Sequence, residues 1–157
     1  MFREMRRYKQ AVTEEESRKV MLEGKRGVLS VTGDEGYPYG IPMDYYYDAA
    51  EGKIYLHCAK EGHKIDAIKR SDKVCFTVWD EGCRKGDWSW YVTSVVAFCR
   101  AELVTDAEVT LRAVREIGLK YYPTAEEVEA EIAHAISRVQ VIALTIEHMT
   151  GKLVHEK

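Results

Sequence analysis

Alternation of apolar and polar positions predicts six β-strands along the chain. The segments are rich in β-branched and aromatic residues, which favour a half-buried sheet. They span residues 27–32, 39–47, 53–59, 73–79, 91–104 and 139–148. Turn-forming residues at 33–36 and 48–52 separate the first three strands, so these three are expected to form an antiparallel meander.

Helical spacing of apolar residues marks three further segments, each preceded by a threonine with a glutamate three residues later. The pairs are Thr13 with Glu16, Thr105 with Glu108, and Thr124 with Glu127. Each pair can form a capping box that satisfies free N–H groups at a helix start. The first helix is expected to end near Gly24 and the second near Gly118, and a shorter helix over 62–70 should lead to the fourth strand.

Six mostly antiparallel strands with peripheral helices predict a mainly β fold, either a small barrel or a sandwich. Barrel closure would remove the exposed edges of an open sheet. The chain has 157 residues, without an internal repeat or a long linker, so a single domain over 1–157 is expected.

Charge and composition limit the kinds of partner and the cellular location that the sequence predicts. The net charge of −3 is spread over interleaved positive and negative residues, so no basic stripe predicts nucleic-acid binding. No apolar run approaches the roughly 20 residues of a membrane helix. The basic N-terminus is followed by acidic residues rather than an apolar segment, so a cytoplasmic protein is expected. The four cysteines lack close pairing and are expected to be free thiols.

The end of the third strand and the loop after it carry the strongest candidate chemistry. His57 closes the strand, and Gly62, His63 and Lys64 open the following helix, with Lys60 just before. Free N–H groups at a helix start, together with cationic side chains, suit a phosphate group. The alternative is a structural histidine and a solvated lysine. A metal site is not expected, because no fourth ligand follows His57, Cys58 and His63 at zinc-like spacing.

Two other strands offer groups for a flat ligand. Pro38 and Pro42 interrupt the second strand and predict an edge or a bulge with open backbone, where a ring with alternating donors and acceptors could bind. Ser94 places a hydroxyl in the otherwise apolar fifth strand, which could bond a ligand or a backbone carbonyl. Trp88 and Tyr91 lie just before that strand.

In the order of its motifs, the chain resembles the FMN-binding split-barrel family related to pyridoxamine 5′-phosphate oxidase, most closely its nitroimidazole-reductase-like branch. The matching segments are Gly36-Tyr-Pro-Tyr-Gly-Ile-Pro, Ile54-Tyr-Leu-His-Cys-Ala, Gly62-His-Lys and Tyr91-Val-Thr-Ser-Val-Val. The resemblance implies a six-stranded antiparallel split barrel and a homodimer that binds FMN in two interface grooves, each lined by both chains.

The resemblance also assigns roles to residues of this chain. The backbone of Pro42, Met43, Asp44 and Tyr45 would contact the isoalloxazine ring. The ribityl and phosphate arm would be lined by His57, Cys58 and Ala59, with His63 and Lys64 on the phosphate, and Ser94 and Val95 would approach the ring. Tyr39, Trp88 or Tyr91 could stack on a substrate, and no catalytic acid or base is assigned.

The implied function is an oxidoreductase that passes hydride or electrons from a reduced nicotinamide through FMN to a small acceptor such as a nitroaromatic or a quinone. Vitamin B6 oxidation is not expected, since the arginine-rich phosphate clamp of pyridoxamine 5′-phosphate oxidases is not evident. The alternatives are a non-catalytic flavin-binding or sensing module, and a relative that binds deazaflavin or haem, the latter with His57 and His63 as axial ligands.

Overall fold

The computed structural model describes residues 1–155, which form seven β-strands and four α-helices. The strands are β1 Gly27–Thr32, β2 Pro38–Met43, β3 Tyr46–Asp48, β4 Lys53–Ala59, β5 Lys73–Trp79, β6 Val92–Leu103 and β7 Val139–Val154. The helices are α1 Glu14–Glu23, α2 His63–Arg70, α3 Ala107–Tyr121 and α4 Ala125–Ala135. Short 3-10 turns occupy Tyr8–Gln10, Asp34–Gly36 and Ile136–Arg138.

All the strands belong to one antiparallel sheet with the order β2-β1-β5-β6-β7-β4-β3. The two strands at its edges, β2 and β3, follow each other in the chain and are joined by only Asp44 and Tyr45. The sheet must therefore curl until its edges meet at these two residues. Beyond them the edges diverge, and the result is a split barrel.

The prediction of a single second strand over 39–47 is wrong, because this segment forms two strands, β2 and β3. β2 pairs with β1, whereas β3 pairs with β4. The break falls where Tyr45 turns its side chain fully into the core and donates a hydrogen bond to the carbonyl of Met21 at 2.7 Å. The sheet thus has seven strands rather than six, although the antiparallel pairings of the predicted meander are present.

The last strand is longer than its apolar pattern indicates. β7 continues six residues past the predicted end at His148, because its later residues pair with the start of β6 as far as Val92 opposite Val154. A register shift between Phe98 and Cys99 keeps the long ladder in step.

Helix starts follow the predicted capping chemistry at two of three positions. Thr13 forms the full capping box with Glu16, and Thr124 accepts the N–H of Glu127. The predicted cap at Thr105 is wrong, since Asp106 caps α3 by accepting the N–H of Val109 at 2.9 Å. The α3 helix also runs past Gly118 to Tyr121.

The core has two parts on opposite faces of the sheet. Inside the barrel, large side chains such as Leu29, Phe76 and Ile142 are fully buried, and the Ile65 and Ile68 face of α2 packs against them. Outside the barrel, Tyr55 and its neighbours on β4 and β7 pack beneath α3. Each buried Leu, Ile or Phe contributes about 1.5–3 kcal/mol, so both faces are stabilised by burial.

The four cysteines are free thiols, as expected. Cys99 is buried, Cys58 and Cys75 are half-buried, and Cys83 is exposed. None of the helices within residues 1–155 is long and apolar enough to cross a membrane.

Candidate functional site

Most of the predicted site residues lie at the split of the barrel. There β2 and the end of β4, beyond the short β3, are not paired with each other. β2 pairs only with β1, so its other edge is open, as the two prolines indicated. Pro42 is exposed and Asp44 is half-buried, whereas the Met43 side chain is buried. These residues leave open backbone at the end of β2.

Tyr45 departs from its predicted role, because its backbone is already engaged. Its N–H donates to the Tyr121 hydroxyl at 3.1 Å, and its carbonyl accepts from the Lys120 ammonium at 3.1 Å. The side chain is fully buried as well. The backbone stretch open to a ligand therefore shrinks from 42–45 to 42–44.

The end of β4 presents His57 and Cys58 on opposite faces. His57 shares the outer face with Tyr55, whereas Cys58 packs against the interior of the barrel. Desolvation lowers the pKa of His57, with Asp44 opposing the shift. Burial raises the pKa of the Cys58 thiol, and the nearby Lys64 ammonium opposes that shift. Ala59, the last residue of the strand, is exposed.

The start of α2 leaves its N–H groups without a side-chain cap. Gly62 holds the N-cap position at a φ of 127°, which favours glycine, and no side chain in the described part of the chain caps this helix start. The other three α-helices within residues 1–155 all have side-chain caps. Free N–H groups at a helix start carry partial positive charge and attract anions.

His63 is used to hold the fold rather than left free. Its Nε2 accepts the N–H of Asp34 at 3.0 Å, and its ring stacks on Tyr39 with centroids 4.2 Å apart. Arg70, two turns along α2, pairs with the same aspartate at 2.9 Å. His63 therefore anchors α2 to the turn before β2, and only its Nδ1 is left for a ligand.

Lys64 is the cation that the fold leaves available beside the split. It is half-buried and has no hydrogen bond or ion pair within the described chain, 1–155. Lys60, in the preceding loop, is exposed and equally unpaired there. Together with the uncapped start of α2, these ammonium groups form a positive region at the end of β4.

Ser94 and Val95 lie elsewhere in the barrel. They sit on β6, opposite Trp79 and Val78 of β5, and β7 separates that strand from β4. Val95 is fully buried and Ser94 is half-buried. One chain therefore does not bring these two residues to Lys64, and a shared groove would need them from a second copy.

The predicted substrate-stacking aromatics are also apart. Tyr39 stacks on His63 at one end of β1, while Trp88 and Tyr91 belong to the loop between β5 and β6, near the other end. Trp88 is 67% exposed. Tyr91 stacks on His155 with centroids 5.2 Å apart, and its hydroxyl donates to Asp87 at 3.2 Å.

Several residues around Asp44 were not predicted from sequence. Arg26 pairs with Asp44 at 2.9 Å, and the Lys120 ammonium lies 3.7 Å above the Tyr45 ring. Burial lowers the pKa of Lys120 to about 8, with Asp44 opposing the shift. Lys120 lies 75 residues from Tyr45 at the end of an amphipathic helix, so no local pattern indicates the contact.

The candidate metal and haem ligands do not form a cluster within residues 1–155. No group of three or more His, Cys, Asp or Glu side chains within 1–155 could hold a metal ion. His57 faces the outside of the barrel, and the Nε2 of His63 is occupied by Asp34. Of the two predicted axial histidines, His63 therefore has only its Nδ1 left for a metal.

Comparison with known proteins identifies the class of the molecule. A family model described as pyridoxamine 5′-phosphate oxidase matches residues 13–153. The fold is a split barrel of that type, and the chain belongs to the pyridoxamine 5′-phosphate oxidase family. A comparison with curated proteins found no match.

Solved structures share the fold at low sequence identity. A candidate 5-nitroimidazole antibiotic resistance protein from Bacteroides thetaiotaomicron is 23% identical with a TM-score of 0.77, over 92% of this chain and 87% of its own. An FAD-binding protein from Mesorhizobium loti is 19% identical with a TM-score of 0.64, over 92% and 96%. The flavocytochrome Anf3 from Azotobacter vinelandii is 20% identical with a TM-score of 0.71, over 96% and 72%.

Proposed function

We propose that the protein is an FMN-dependent oxidoreductase that transfers electrons from a reduced nicotinamide to a small acceptor such as a nitroaromatic or a quinone. The observation that carries the proposal is Lys64, which has no partner among residues 1–155 and lies beside the uncapped start of α2, at the open end of the barrel split. Family membership and the flavin proteins among the structural relatives support it.

The residues present fit a flavin phosphate. A phosphomonoester dianion needs cationic side chains and several N–H donors, which Lys64, Lys60 and the first turn of α2 supply. The open backbone from Pro42 to Asp44 offers donors and acceptors for the polar edge of a flavin ring. When bound, FMN would supply the two-electron chemistry, and the protein would bind and orient the reactants.

A homodimer belongs to the same proposal. Ser94 and Val95 were expected beside the flavin ring, yet β6 lies apart from Lys64 in the sheet order. A second copy could bring its own β6 and its Trp88 loop to the groove. Light scattering tests this, and a monomer at micromolar concentration would contradict it, because half of the expected groove would then be missing.

The first experiment is an FMN titration of the purified protein, followed by absorbance and by quenching of flavin fluorescence. Wild type should develop a bound-flavin spectrum. Lys64→Ala should raise the Kd about tenfold to a hundredfold, because a hydrogen bond to a charged group contributes about 1.5–3 kcal/mol. Lys69→Ala is the matched control, since Lys69 is exposed near the far end of the same helix.

The results of this titration and of activity assays distinguish the proposed enzyme from a haem protein and from a non-catalytic flavin-binding module. A sharp haem-type band in the purified protein, or no uptake of FMN, would overturn the proposal while the fold stands. Uptake of FMN without oxidation of NADH or NADPH, with any nitroaromatic or quinone, would leave a non-catalytic flavin-binding or sensing module. Turnover with either nicotinamide would establish the enzyme and name its donor.

A further inference from the structure

A cavity of about 130 Å³ lies outside the barrel, between the α3 and α4 helices and the end of β4. Its walls are mostly apolar, and the helix faces around Ile117, Ile132 and Ala135 form much of them. The helices are held close where Gly118 meets Val128, since a Cβ on Gly118 would lie 2.7 Å from a Val128 methyl carbon. Past that contact they leave space over the sheet.

The volume of the cavity matches one ring. An apolar cavity of about 150 Å³ is known to bind benzene. The volume here is similar, so a single six-membered ring fits, whereas the three fused rings of a flavin do not. The cavity therefore differs from the proposed flavin groove, although His57 and Asp44, which line the cavity, are also expected at that groove.

Polar groups at the cavity select the charge of the occupant. Carboxylates of Asp44 and Glu131 are among the lining groups and can accept hydrogen bonds. Asp44 is paired with Arg26, whereas Glu131 has no ion pair in the described chain. A neutral ligand with an O–H or N–H group would be favoured, and an anionic ligand would be repelled.

We propose that this cavity binds a neutral single-ring aromatic molecule carrying an O–H or N–H group, and that it is the acceptor pocket of the enzyme. The second half of this inference rests on the proposed function, because only a neighbouring flavin could reduce the bound ring. His57 and Asp44 provide the continuity between the cavity and the split.

The binding test uses the purified protein without added FMN and follows two probes by ligand-observed NMR. 4-Nitrobenzyl alcohol and 4-nitrobenzoate share a nitro-substituted ring and differ in charge. The alcohol should bind at least tenfold more tightly than the carboxylate. Equal binding of the two probes, or binding of neither, would overturn the proposal.

Substitutions then locate the binding. Ala135→Leu adds three carbon atoms inside the cavity and should abolish binding of the alcohol, whereas Ala130→Leu, on the exposed face of the same helix, should leave it unchanged. Glu131→Lys lies at an exposed position that does not threaten the fold, and it should raise the affinity for 4-nitrobenzoate at least fivefold. Unchanged affinities in both Ala135→Leu and Glu131→Lys would overturn the site.

Activity separates this inference from the proposed function. In FMN-loaded protein, a nicotinamide supplies two electrons that, with two protons, reduce the nitro group to nitroso and release water. Ala135→Leu should slow reduction of 4-nitrobenzyl alcohol at least tenfold but leave ferricyanide, which needs no cavity, at the wild-type rate. Equal loss with both acceptors would overturn the acceptor role, while absence of all turnover would refute the proposed function and leave the binding result intact.

Discussion

Tyr45 connects three parts of the molecule through a single residue. Its hydroxyl donates to the Met21 carbonyl of α1 at 2.7 Å, its ring meets Phe76 edge-on, and its backbone is bonded by Lys120 and Tyr121. Because the side chain is fully buried, its hydroxyl has no water to replace a lost partner. Burial also raises its pKa well above the ordinary tyrosine value.

We therefore expect Tyr45→Phe to lower the free energy of unfolding by about 1–3 kcal/mol, because the Met21 carbonyl would be left buried without its donor. Urea unfolding followed by circular dichroism measures this. Tyr37→Phe is the matched control, since Tyr37 is 74% exposed, and it should change stability by less than about 0.5 kcal/mol. Equal effects of the two substitutions would contradict the role of the Tyr45 hydroxyl.

The lowered pKa of Lys120 predicts how the stability of the protein depends on pH. Burial lowers its folded-state pKa to about 8, below the ordinary 10.5, while Asp44 opposes the shift. Between these two values the unfolded chain binds more protons at this group, so its contribution to stability rises as pH increases through that window. Burial also raises the pKa of the nearby Tyr121, which moves its titration away from that window.

The measurement is the difference in unfolding free energy between wild type and Lys120→Met from pH 7.5 to 9.5. Wild type should gain relative to the variant as pH rises. All other ionisable groups are present in both proteins, so their contributions cancel in the difference. A difference that stays flat, or that falls with pH, would contradict the lowered pKa.

The local sequence pattern does not predict side-chain contacts between residues that are far apart in the chain. Alternation along β4 correctly placed Tyr55 and His57 on one face and Cys58 on the other, because the period of a strand is local. The ammonium of Lys120 donates to the carbonyl of Tyr45, which is 75 residues away in the sequence. The sequence around either residue does not indicate this contact. Long-range packing therefore has to be read from the fold.

At the scale of elements, the start of α3 shows that a capping-box pattern can indicate the wrong capping residue. Thr105 and Glu108 have capping-box spacing, but Asp106 accepts the Val109 N–H at 2.9 Å instead. Aspartate is an equally good cap, and its charge favours the positive end of a helix. The pattern predicted the helix correctly and placed its first residue one position early.

Asp106→Ala should therefore destabilise the protein by about 1 kcal/mol, the usual value for the loss of a side-chain cap. Thr105→Ala should change the free energy of unfolding by less than about 0.5 kcal/mol, since Thr105 is exposed and does not cap the helix. Thermal or urea unfolding of the two variants compares them directly. A larger loss from Thr105→Ala would restore the predicted capping box.

The α2 helix shows what motif reading obtains and what it misses. The Gly62-His63-Lys64 motif correctly marked a helix start after a strand, and Gly62 opens it with a positive φ. The motif did not show that His63 would be bonded to Asp34 and stacked on Tyr39. Asp34 comes from the turn before β2 and Tyr39 from β2 itself, so only the assembled barrel separates an anchoring histidine from an available lysine.

For the whole molecule, the order of strands decides what one chain can build. The end of β4 and the start of α2 supply Lys64 at the split, whereas Ser94 lies on β6, across β7 from β4. If the proposed groove takes Lys64 from one copy and Ser94 from the other, the two residues act between chains. Sequence order alone could not reveal this separation, because it depends on which strands pair.

The arrangement predicts complementation between two defective copies. Lys64→Ala removes the phosphate cation, and Ser94→Phe places a bulky ring on the outer side of β6, since the neighbouring Val95 points into the barrel. Each variant alone should bind FMN poorly. A mixed dimer, however, contains one groove with both native residues, because Lys64 comes from the Ser94→Phe copy and Ser94 comes from the Lys64→Ala copy.

With equal coexpression and random pairing, half of the dimers are mixed and each restores one of two grooves, so about a quarter of all grooves should bind FMN with native affinity. Flavin titration of the coexpressed protein measures that fraction. As a reference, a chain carrying both substitutions is coexpressed with wild type. About a quarter of the grooves should then be native if each groove takes the two residues from different copies, and about half if it takes both from one copy. If Lys64 and Ser94 served the same groove within one chain, mixing the single variants would restore no site at all. Recovery of high-affinity sites would thus show that the second copy completes the groove.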